Sequence, residues 1–134
     1  MKIKFPYKKE RSKLFGSVNR PVALASFWSN KYDQYLEFTF IIDTGADYTI
    51  FPISKSLDLG IDLQKDCVPF KTSGIGGSET AYLLPKIKMK LGTKEIFIPV
   101  GFLKRDNIPP LLGRYKCLDV FSVLFHNCTT TFSV

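Results

Sequence analysis

The densest chemical signal in the chain lies at Phe40-Ile41-Ile42-Asp43-Thr44-Gly45-Ala46-Asp47, where an apolar, β-prone run ends abruptly in an acid, a hydroxyl and a glycine. A carboxylate at the exit of a buried strand, held by a tight turn that glycine permits, is partly desolvated and so prepared for proton transfer. Asp43 alone does not complete an acid–base pair. Hydrolysis of an amide by carboxyl groups needs one ionised group to take a proton from water and one protonated group to polarise the carbonyl, and Asp-Thr-Gly occurs once in the 134 residues. A symmetric homodimer supplies the second copy, because two carboxyls at close range share one proton more cheaply than both ionise. The plain alternative for an isolated Asp-Thr-Gly is an Asx turn without chemistry.

Two further segments bear on the same chemistry. Ser73-Gly74-Ile75-Gly76-Gly77 sets glycines around one apolar residue, which suits a mobile hairpin tip whose backbone N–H groups approach a bound chain. Pro109-Pro110-Leu111-Leu112-Gly113-Arg114 reads as an apolar strand ending in Gly-Arg, and Asp47 is available as a partner for the Arg114 guanidinium. Other chemistries are poorly served. Cys67, Cys117 and Cys128 form no Cys-x-x-Cys and no disulfide framework, so free thiols, buried or half-buried, are expected. His126 is the only histidine, and His126-x-Cys128 falls short of the four ligands of a zinc site, so neither a metal nor another cofactor is expected.

The elements that must position these residues are mostly strands. Val22 to Phe27 and Tyr35 to Ile42 are apolar, aromatic and β-branched; Lys86 to Leu91 alternates basic and apolar residues, and Gly92-Thr93 separates it from Glu95 to Val100 as a hairpin with one solvated face. Ser54 to Leu59 favours a short helix, with Ser54 as N-cap and Gly60 as the stop. Tyr115 to Phe125 places Leu118, Phe121, Leu124 and Phe125 on one side and predicts a second helix. Thr129 to Val134 is β-prone and predicts a terminal edge strand open to pairing with another chain. With 45% hydrophobic residues and twelve Phe, the chain is expected to bury one substantial core.

The formal charge of +7 is concentrated at the start: residues 1–20 hold seven Lys or Arg against the single acid Glu10. This excess reads as a basic N-terminal arm, solvated and partly flexible, preceding a domain over residues 21–134. A nucleic-acid surface would spread its charge over the folded face, so a nucleic-acid partner is not expected. There is no apolar stretch of signal-peptide or membrane-spanning length, and a cytoplasmic protein without membrane attachment is expected.

Taken together, the three motifs resemble the retropepsin-like aspartic proteases. Asp43-Thr44-Gly45-Ala46-Asp47 is similar to that family's active-site loop, Gly74-Ile75-Gly76-Gly77 to its flap, and Leu111-Leu112-Gly113-Arg114 to its hydrophobic-Gly-Arg element. Phe5-Pro6-Tyr7, Arg20-Pro21 and Leu118-Asp119-Val120-Phe121 look more like the single-domain prokaryotic members than the viral ones. The resemblance implies an all-β fold, a small closed barrel with one short C-terminal helix and a flap hairpin. It implies an aspartic endopeptidase that binds an extended polypeptide in a homodimer, with terminal strands at the dimer interface. Asp43 would be the catalytic aspartate, Thr44 would bond across the dimer axis, Gly45 would support the turn and contact substrate, and Asp47 and Arg114 would pair to brace the loop. Tyr115 stands where the family commonly has Asp or Asn, and the interval from Gly45 to Gly74 is long. For residues 1–20 a dimer-forming strand, a removable pro-segment and a plain tail all stay open. A dimeric peptide-binding module of the same fold with weak catalysis is the alternative function.

Overall fold

A computed structural model describes residues 1–74 and 77–134 of the chain. Twelve strands are formed: β1 (Lys2–Pro6), β2 (Lys8–Ser12), β3 (Gly16–Arg20), β4 (Val22–Ser29), β5 (Gln34–Ile42), β6 (Thr49–Pro52), β7 (Val68–Gly74), β8 (Gly77–Leu91), β9 (Lys94–Leu103), β10 (Leu111–Leu112), β11 (Ser122–His126) and β12 (Thr129–Ser133). Between β6 and β7 lie two one-turn helices, α1 (Lys55–Asp58) and α2 (Leu63–Asp66). The expected strands over 22–27 and 35–42 and the hairpin over 86–100 are present as β4, β5 and β8–β9. The fold is all-β, as the motifs implied.

Seven strands form one sheet in the order β4-β5-β10-β6-β9-β8-β7, and a further pairing of β4 with β8 at Ser26↔Lys90 and Phe27↔Met89 closes it on itself. The inward positions of adjacent strands meet as an aromatic cluster: Phe27, Phe40, Phe51 and Phe102 are fully buried, with the Phe27 and Phe51 ring centroids 5.0 Å apart. Burying side chains of this size contributes about 2 kcal/mol each and holds the strands in register beneath the Asp43 loop. Gly60 ends α1 at φ +69, and a Cβ there would lie 2.6 Å from the Lys31 nitrogen. Ser54 makes no side-chain capping bond; α1 is too short to expose a full set of orphan donors.

The basic leading segment is folded, not a solvated tail. β1 pairs along its whole length with β12, from Lys2↔Ser133 to Pro6↔Thr129, and β2 and β3 form a hairpin. β12 is correspondingly the middle strand of a three-stranded sheet, β1-β12-β11, and not an edge.

The helix expected over Tyr115 to Phe125 reduces to a single 3-10 turn at Leu118–Val120, followed by β11. Its apolar residues fit two periods at once, since Phe121 and Val123 also alternate at the spacing of a strand. Pairing decides between them: Val123 stands opposite Phe132, which is fully buried with its ring centroid 5.5 Å from Phe121 and 5.8 Å from Phe5. Asn127 and Cys128, both near φ +53, make the two-residue turn that returns β11 to β12.

Candidate active site

β5 delivers Asp43 to the surface. Its last residues run parallel to β10, with Leu111 beside Ile41 and Leu112 beside Ile42, and the Asp43 N–H donates to the Leu112 carbonyl at 3.0 Å. The chain then turns: Ala46 N–H donates to the Asp43 carbonyl at 3.2 Å, and Gly45 N–H donates to Asp43 Oδ1 at 3.0 Å. A Cβ at position 45 would approach that same Oδ1 to 3.3 Å, so glycine lets the amide close on the carboxylate without crowding it. The Asx turn is therefore real, and it is also the device that aims the half-buried carboxyl. Oδ1 is held while Oδ2 has no hydrogen-bond partner among the described residues.

The second motif supports this loop through its backbone. A Cβ on Gly113 would fall 2.2 Å from the carbonyl of Tyr48, so only glycine lets the two segments cross at this distance. Gly113 N–H donates to the buried Thr49 hydroxyl at 3.2 Å, Arg114 N–H to the Ala46 carbonyl at 2.9 Å and Tyr115 N–H to the Asp47 carbonyl at 2.8 Å. The expected Arg114–Asp47 ion pair is not formed. Lys116 at φ +54 turns the chain back, and Arg114 Nε instead donates to Asp119 Oδ1 at 3.0 Å, with both side chains more than half exposed.

Thr44 borders a pocket of about 360 Å³ lined by Phe121, Val123 and Phe125. Asp47 and Arg114 share a second pocket, about 590 Å³, with Tyr48 and Tyr115, so the two are neighbours without being an ion pair. Asp43 itself lines a groove of about 680 Å³ whose floor is Ile41 and Leu111 and whose wall holds Lys8, Glu10 and Arg20. Sequence reasoning missed that wall, because residues 8–20 are distant in the chain from Asp43 and carry neither a motif nor an apolar alternation. β7 and β8 pair continuously from Val68↔Leu83 to Gly74↔Gly77, forming the expected hairpin, while Ile75 and Gly76 lie outside the described residues.

The two buried thiols do not compete for the role of nucleophile. Burial pushes Cys67 and Cys117 up to about 11, with Asp66 adding to the effect at Cys67, which keeps both protonated and inert near neutral pH. Cys128, by contrast, is exposed. Among the described residues no three His, Cys, Asp or Glu side chains cluster as metal ligands, and no helix is long and apolar enough to cross a membrane.

Residues 29–115, which span all three motifs, match a family model described as aspartyl protease. The fold is similar to the crystal structure of a retropepsin-like aspartic protease from Rickettsia conorii, with a TM-score of 0.68 and 19% identity over 98% of each chain. No curated protein matches.

Proposed function

The chain belongs to the aspartyl protease family, and from that membership we propose that it is a homodimeric aspartic endopeptidase whose two Asp43 carboxyls share one proton across the dimer axis. One carboxylate takes a proton from water as the oxygen attacks the scissile carbonyl. The other, protonated, donates to the carbonyl oxygen; as the tetrahedral intermediate collapses it takes a proton back from a gem-diol hydroxyl while the first carboxyl gives the proton it took from water to the leaving nitrogen, with no covalent intermediate. The observation that carries this reading is the Asp43 carboxyl at the strand exit, one oxygen fixed by Gly45 N–H and the side chain facing an apolar-floored groove. An extended peptide would lie in that groove and pair with the β7–β8 hairpin, through Gly74, Ile75, Gly76 and Gly77.

The second copy belongs on the open edge of β11. Among the described residues that strand pairs with β12 on one side only, and it exposes Leu124 and Phe125, the latter lining the Thr44 pocket. A copy seated there would bring two Thr44 hydroxyls toward the axis between the two Asp43. Residues 21–134 would carry the protease domain, with residues 1–20 as its leading element.

The test is cleavage of an unfolded protein from about pH 3 to about pH 8 by wild type beside Asp43→Asn, with a statine inhibitor as control. Cleavage strongest in acid, blocked by the inhibitor and lost in the variant is expected. Equal cleavage by the variant would overturn the assignment of Asp43.

A further inference from the structure

The N-terminal hairpin has two unlike faces. Its register, from Lys8↔Arg20 to Ser12↔Gly16, puts Lys8, Glu10, Ser12, Val18 and Arg20 on one side and Lys9 and Arg11 on the other. On the first face Glu10, Ser12 and Val18 are half-buried and Lys8 and Arg20 are exposed at its end, whereas on the other face Lys9, Arg11, Ser17 and Asn19 are all exposed, so the middle of the first face is turned inward. What it meets is Asp43: Lys8, Glu10 and Arg20 stand around the same groove as Ile41, Asp43 and Leu111. The base of the hairpin is tied to the β11–β12 turn, where Tyr7 N–H donates to the Cys128 carbonyl at 2.9 Å, which fixes the wall relative to the sheet.

The charges on that wall do not cancel. Arg20 Nε donates to Glu10 Oε2 at 2.6 Å, so the one acid is already occupied. Lys8 has no ion pair among the described residues, and the Arg20 guanidinium keeps further N–H donors. The groove thus offers an apolar floor for an aliphatic stem and, at the rim, uncommitted cationic donors for a carboxylate. A basic side chain in the same place would meet like charge.

We propose that the β2–β3 hairpin is a wall of the substrate cleft and that Lys8, with the free donors of Arg20, selects peptides carrying an acidic side chain close to the scissile bond. The inference rests on Asp43 being the catalytic group. The test uses the full-length protein and a peptide series in which each position flanking the scissile bond carries Glu, Gln or Lys in turn. Cleavage is followed for one set, and binding for a matched set with a non-hydrolysable reduced-amide bond.

Wild type is expected to favour Glu over Lys at one or two positions by about fivefold in kcat/KM and in Kd, as suits partly exposed pairs. The preference shrinks in Lys8→Glu, survives in Lys9→Glu on the outer face of the same strand, and weakens as salt is added. Cleavage without any charge preference, or equal loss of preference in Lys9→Glu, overturns the proposal and leaves the protease reading standing. A chain that neither cleaves nor binds any peptide of the series overturns both.

Discussion

The loop that carries Asp43 and the sheet built from the chain termini are both assembled by strand pairing, yet one is closed within the chain and the other is not. Around Asp43 the loop is tied to its neighbours within the chain: Leu112 accepts from Asp43, and Arg114 and Tyr115 donate to Ala46 and Asp47. In the terminal sheet β12 is paired on both sides, but β11 leaves one edge free, with Leu124 59% and Phe125 40% exposed. The difference separates two jobs. The first region sets the geometry of one carboxyl without help, and the second has surface left over for another chain, as the proposed reaction through two carboxyls would require.

The largest expected effect breaks the second region while sparing the first. Phe125→Asp places a charge on the open edge, where the side chain is 40% exposed. In the proposed dimer this variant sediments as a monomer and loses roughly 100-fold in specific activity at micromolar concentration, with a melting temperature that no longer rises with protein concentration. A stable, fully active dimer in sedimentation would place the second copy on another surface.

The next effect breaks the first region from within. Gly113→Ala drives a methyl into the Tyr48 carbonyl, 2.2 Å from where its Cβ would sit, and backbone on both sides leaves nothing soft to move. Destabilisation of about 3 kcal/mol or more is expected in urea unfolding, toward the top of the range for overpacked sites, with activity falling as the Asp43 loop loses its support. Gly77→Ala is the useful contrast: Gly77 has φ +108, and among the described residues beyond its chain neighbours no atom lies within 4 Å of its Cβ position, so the backbone term dominates.

The same contrast explains what could be read from the residues alone. The Asp43 loop, the strand before it and the Leu111–Arg114 element were legible because their determinants are local: an apolar run, a turn residue at a fixed offset, a glycine where chains cross. β1 and β11 were not, because each becomes a strand only through a partner more than a hundred residues away or across a turn that competes with a helical pattern. Lys2↔Ser133 and Phe5↔Thr130 join the two ends of the chain, and no window of sequence contains both halves of such a pair. The stretch Tyr115 to Phe125 misleads for the same reason: the spacing of Leu118, Phe121, Leu124 and Phe125 admits a helix until Phe132 is placed between Phe121 and Phe5. The cleft wall was invisible on the same grounds, since Lys8 and Arg20 acquire meaning only beside Asp43.

The smallest expected effect tests how the closed region holds itself together. An ion pair between Arg114 and Asp47 would have made the Arg114 side chain a brace for the Asp43 loop, and its removal costly. The observed pair is with Asp119, with side chains 58% and 51% exposed, in water where Coulomb attraction is screened and two side chains lose rotamer freedom to meet. What braces the loop is the Arg114 N–H on the Ala46 carbonyl, which any residue but proline supplies. Arg114→Ala and Asp119→Ala are therefore each expected to cost less than about 1 kcal/mol, with a coupling energy of about 0.5 kcal/mol or less in a double-mutant cycle. A loss of several kcal/mol in Arg114→Ala, shared by Asp47→Ala and not by Asp119→Ala, would return the guanidinium to Asp47 and make the side chain, not the backbone, the support of the loop.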